Sequence, residues 1–203
     1  MTHPDWPAFL RTIVADPEEN TARLVAADFL DEAGDPDRAA FIRVQIALAG
    51  LEASGLRDSR AAGDLRKREG TYIGPRSVFR PLWAAEECPE LVRIAPPAGT
   101  SSPLADLHVE GADRLVWRRG FVERVFCPAA EWLRHGVAVR ERNPVREVAL
   151  SVPPALDMDE WYAGLPALQG IPVLCLYGAA RYPDNTFTDW LAARLPGTKV
   201  DRQ

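Results

Sequence analysis

The sequence predicts an α+β fold, a small helical bundle followed by a short repeating α/β segment, and three observations carry that reading. Apolar residues recur at helical spacing from the N-terminus to about residue 70. Prolines then interrupt every period between about residues 75 and 115. From Gly120 onward, strand-like cores alternate with helix-like stretches.

In the first block, Phe9, Leu10, Ile13 and Val14 form one helical face, and Asp16-Pro17 ends it because the residue before proline avoids the α region. Pro17-Glu18-Glu19 can open a second helix, its acids matching the positive end of the helix dipole. Leu24, Val25, Phe29 and Leu30 are its expected buried stripe, and Gly34-Asp35-Pro36 closes it. A third helix is expected from Pro36 to Ala53, presenting Phe41, Val44, Leu48 and Leu51. A charged fourth helix covers Leu56 to Glu69. The expected organisation is a helical module at 1–74, a proline-rich connector at 75–115 with short strands near 91–94 and 104–109, and a repeat segment at 116–203.

The repeat cores are Phe121 to Val125, Pro144 to Leu150 and Pro172 to Leu176. Val122, Val145, Val173 and Val200 superpose at offsets of 23, 28 and 27 residues. Helix-like stretches fill the gaps at 129–142, 158–168 and 186–195. Trp117, Trp132, Trp161 and Trp190 follow at spacings of 15, 29 and 29 residues, which points to core packing or to an aromatic ridge for a partner. Strand and helix alternating every 20–30 residues or so is the pattern of a leucine-rich-repeat-like α/β solenoid, whose units bury their apolar faces only by stacking. The rival is a small two-layer α/β sheet domain.

The stretch Leu24-Val25-Ala26-Ala27-Asp28-Phe29-Leu30-Asp31-Glu32-Ala33-Gly34-Asp35-Pro36, with Phe41-Ile42-Arg43-Val44-Gln45, resembles the signature of a bacterial repeat-companion domain that precedes leucine-rich or other repeats. The resemblance covers about residues 8–48. Phe29 stands where that signature has tryptophan, and Ala39-Ala40 where it has Gly-Glu. The segment Trp117 to Val125 looks like the entry into the repeat array of such proteins, although no asparagine ladder follows. The resemblance implies an interaction scaffold and assigns no catalytic residue.

Composition narrows the function classes. A net charge of -5 argues against a general nucleic-acid binder, despite the basic runs at Arg66-Lys67-Arg68 and Arg118-Arg119. The N-terminus has no signal-peptide pattern, and no run approaches the roughly 18 apolar residues of a membrane span, so a cytoplasmic protein is expected. Cys88, Cys127 and Cys175 are widely spaced and read as buried free thiols. His3, His108 and His135 form no metal-ligand spacing, and no cofactor motif is present.

The acids Asp28, Asp31, Glu32, Asp35 and Asp37 invite a cation, but they lack the alternating spacing of a calcium loop, and Asp35 is better placed to cap the helix at Pro36. Asp28 and Arg43 stand among apolar residues on facing helices and are the candidate structural ion pair, expected either as an internal pair or with the carboxylate bonded to helix-end amides. Arg124, Arg146 and Glu147 alternate with valines on two strands and are the candidate interaction surface. The expected function is protein–protein interaction by a non-enzymatic adaptor or scaffold, with another protein as partner and self-association possible at the open repeat end near Val200. The alternative is a metal- or ligand-binding regulator, or an enzyme, built on the Asp28–Asp37 turn.

Overall fold

The computed structural model describes residues 4–75, 77–95, 108–152, 157–178 and 186–203. Among these residues the chain forms an α+β fold with eight α-helices, a two-stranded sheet and a five-stranded mixed sheet.

Helices α1 (Trp6–Ala15), α2 (Asn20–Glu32), α3 (Pro36–Ala53) and α4 (Arg60–Ile73) match the four expected in the first block. Glu19 caps α2, its carboxylate accepting from Thr21 N at 2.6 Å, and Asp35 caps α3 by accepting from Arg38 N at 3.2 Å. The expected stripe on α2 is corrected. Leu24 and Val25 are 39% and 48% exposed, whereas Arg23, Ala26 and Ala27 are buried. Arg23, Ala27 and Leu30 recur at helical spacing, and the two alanines let α2 lie close against α3. Apolar character alone selected the wrong phase, because the inward face carries a charge.

The span 75–115, read as an irregular connector, contains α5 (Phe79–Glu87) and the short antiparallel pair β1 (Arg93–Ala95) and β2 (His108–Glu110). Residues 104–107 of the second strand expected there lie outside the described residues. Trp83 of α5 stacks among Phe41, Tyr72, Phe79 and Trp117, so an aromatic cluster joins the helical block to the sheet. The main apolar core runs without a break from Phe41 through Trp83 and Trp117 to Leu195.

The large sheet comprises β3 (Leu115–Arg118), β4 (Phe121–Pro128), β5 (Glu147–Ser151), β6 (Val173–Tyr177) and β7 (Lys199–Arg202), in that spatial order. β3 and β4 form an antiparallel hairpin, and β4 to β7 run parallel. The crossovers carry α6 (Ala129–Arg142), α7 (Met158–Leu168) and α8 (Thr186–Arg194). Alternation sends Val125, Cys127, Val148, Leu150, Leu174 and Leu176 into the core with Trp132, Trp161 and Leu191. Gly164 of α7 meets the Leu133 side chain of α6, which is why no larger residue fits at that crossing.

The opposite face of the sheet is different. Phe126 is exposed, Arg124, Glu147, Val173 and Tyr177 are half-buried, and Ala149 and Cys175 lie between them. The Phe126 and Tyr177 rings meet edge to face at 5.6 Å across the central strand, which is possible because Ala149 there is small.

Candidate interaction groove

The hairpin β3–β4 is the pivot of the site. Arg119 and Gly120 take positive φ values of 49° and 88°, the two-residue turn whose twist suits a hairpin. Gly120 packs on Ile42 of α3, and any side chain at that position would collide with it. Gln45, one turn further along α3, donates to Trp117 O at 3.1 Å and accepts from Gly120 N at 2.6 Å. Thus the Phe41-Ile42-Arg43-Val44-Gln45 run and the Trp117-to-Phe121 run, which the sequence marks separately, are two halves of one contact.

Glu123 is the extra residue of a β-bulge, since Val116 pairs with Arg124 and Trp117 with Val122. The bulge turns the Glu123 carboxylate toward Arg23, which it meets at 2.9 Å with both side chains nearly devoid of solvent. Arg23 also donates to the carbonyls of Pro17 and Arg119 at 2.8 and 3.1 Å. Burial pulls the Arg23 guanidinium below its usual pKa, and the adjacent Glu123 opposes that shift. A second buried pair, Arg38–Glu87 at 2.9 Å, joins α3 to α5, with the Arg38 guanidinium 4.6 Å from the Trp117 ring and 4.8 Å from that of Trp83. Burial lowers the Arg38 pKa and raises that of Glu87, each against the pull of its partner. These two pairs escaped the sequence reading. Their partners lie 100 and 49 residues apart, and no local pattern couples them.

Asp28 and Arg43 do form an ion pair, at 2.7 Å, and Asp31 joins it at 2.5 Å. The expectation that it is internal is corrected: Asp28 is 70% exposed. Both helices present these residues outward, and water solvates the pair. Asp28, Asp31 and Asp35 of the acidic turn therefore have partners in Arg43 and the α3 cap. Among the described residues no group of three His, Cys, Asp or Glu side chains is placed to hold a metal ion. His3 lies outside the described residues.

Between α3, α4 and the N-terminal ends of β4, β5 and β6 runs an open groove of about 910 Å³. Arg124, Arg146 and Glu147 all line it, so the three residues picked from strand alternation share one wall. Arg124 and Glu147 pair at 3.1 Å across adjacent strands, and Arg146 pairs with Glu18 of the α1–α2 turn. Glu18 also accepts from Arg119 at 3.1 Å. The facing wall holds Glu52, Arg57, Arg66 and Glu69, and Arg118 is exposed at the end of β3. Both charge signs alternate around the groove, which suits a surface that selects a partner by complementary charges rather than one that grips a polyanion.

Reactive groups are scarce near it. Cys88, Cys127 and Cys175 are free and buried, and burial pushes the Cys127 thiol up to about 12. Trp117, Trp132 and Trp161 are core residues, and Trp132 donates to Ala167 O at 3.1 Å. Trp190 instead lies partly open, with Arg194 4.6 Å from its ring and Tyr162 accepting from its indole at 3.2 Å. No described helix is long and apolar enough to cross a membrane. No family model, curated protein or solved structure matches the chain.

Proposed function

We propose that this protein is a non-enzymatic adaptor that docks another protein in the groove and on the open sheet face beside it. The observation that carries the proposal is the gathering of Arg124, Arg146 and Glu147 on one wall of an open groove, next to the exposed Phe126. An aromatic anchor beside alternating charges is the composition expected of a protein interface. The likeness of residues 8–48 to a repeat-companion signature supports the same reading, with β4 to β7 as a short leucine-rich-repeat-like solenoid. The unbroken succession of parallel strands from β4 to β7, one helix between each, favours that description over a doubly wound sheet, whose order reverses at a switch point. Three free thiols suit a reducing, cytoplasmic setting.

The test is affinity capture of the tagged chain from its native lysate, comparing the unaltered protein with Arg124→Ala/Arg146→Ala/Glu147→Ala. A stoichiometric partner held by the first and lost by the second is expected. Equal capture by both removes this surface from the proposal.

A further inference from the structure

The last strand of the large sheet offers a self-complementary edge. Among the described residues β7 has one neighbour, β6, and pairs with it in parallel. Lys199 N donates to Pro172 O at 2.8 Å and Gln203 N to Leu176 O at 2.9 Å. Alternation along a strand then turns Asp201 toward β6 as well, and sends the N–H and C=O of Val200 to the other side. Lys199 and Asp201 project onto the open face, where their side chains meet at 2.7 Å, whereas Val200 packs against the end of the apolar core.

We propose that two copies of this chain join antiparallel along β7, about a twofold axis at Val200. In that register Val200 and its counterpart exchange both backbone hydrogen bonds. Each Lys199 then stands opposite the other copy's Asp201 as a non-hydrogen-bonded pair, the geometry in which side chains come closest. The charges thus alternate around a square of two lysines and two aspartates. A shift of one residue in either direction would lose this match, so the edge specifies its own register. The axis stands perpendicular to the sheet, keeping both helix layers on one side and bringing the two Val200 side chains together where each apolar layer ends. The result is a continuous ten-stranded sheet, twice the five strands of one copy. The three facing residues, Lys199 to Asp201, form a small contact, so the dimer is weak and reversible.

Sedimentation equilibrium of the full chain, from about 1 µM to about 1 mM, tests this directly. The unaltered protein is expected to dimerise within that range. Lys199→Glu alone and Asp201→Lys alone each set like charges opposite one another, and each is expected to weaken self-association by about tenfold or more. An equimolar mixture of the two variants restores opposite charges at both positions, and is expected to recover a heterodimer. A loss of folding in either variant could not produce that rescue. Amide exchange supplies a second readout: protection of the Val200 N–H should rise with protein concentration, while that of Lys199 should not. A chain that stays monomeric across the range overturns the proposal. So does a dimer indifferent to both substitutions, or a β7 edge protected only by a strand from another protein.

Discussion

At the seam between α2 and the β3–β4 hairpin, Arg23 and Glu123 meet at 2.9 Å with almost no solvent around them. On the open face, Arg124 and Glu147 meet at 3.1 Å with 36% and 27% of each side chain exposed. The two glutamates belong to adjacent strands of one sheet and bind the same kind of cation. What separates them is water. In the seam water cannot take the place of a lost partner: Arg119 also meets Glu123 at 3.0 Å, so removing Glu123 leaves two guanidinium groups without their carboxylate in a poor dielectric. On the open face solvent replaces either partner at little cost, which leaves the pair free to be exchanged for the charges of another molecule. The same chemistry is therefore a joint in one place and, on the adaptor function proposed above, a recognition element in the other.

The other buried joint should break hardest. Glu87→Ala removes the carboxylate that the Arg38 guanidinium meets at 2.9 Å, and is expected to cost about 3–5 kcal/mol of unfolding free energy in urea denaturation. A loss below about 1 kcal/mol would mean that the four aromatic rings around Arg38, and not Glu87, hold its charge. Next in size is Gly120→Ala. A β-carbon there faces both a positive φ and the Ile42 side chain, and about 2–4 kcal/mol is expected from strain and overpacking together. Thermal unfolding would show it, and an unchanged midpoint would mean that the hairpin tip is not seated on α3 as described.

The sequence carried the secondary structure well because its signals are local. The 3.6-residue periods gave α1 to α4, and the valine-led runs gave β4, β5 and β6, with only the offset of Val200 to hint at β7. Asp35 before Pro36 was legible as a cap for the same reason. The phase of α2 was not legible. Its inward face contains Arg23, and a charge reads as solvent-facing until its partner is known. That partner, Glu123, reaches Arg23 only through a bulge in β4, which has no sequence signature here. The same blindness put Asp28 inside and left Arg38 unnoticed. α5 was missed because Pro81 and Pro89 hide a nine-residue helix, with Pro81 tolerated in its first turn. Of the candidate groove, the strand wall was visible from alternation. The helical wall, set by Gln45 holding the hairpin turn 75 residues away, was not.

The most direct test sets the two glutamates side by side: urea unfolding of Glu123→Ala and of Glu147→Ala under one set of conditions. Glu123→Ala is expected to cost about 3–5 kcal/mol and Glu147→Ala at most about 1 kcal/mol. Equal losses, or a larger loss for Glu147→Ala, would contradict the division of this sheet into a structural seam and an open face available to a partner.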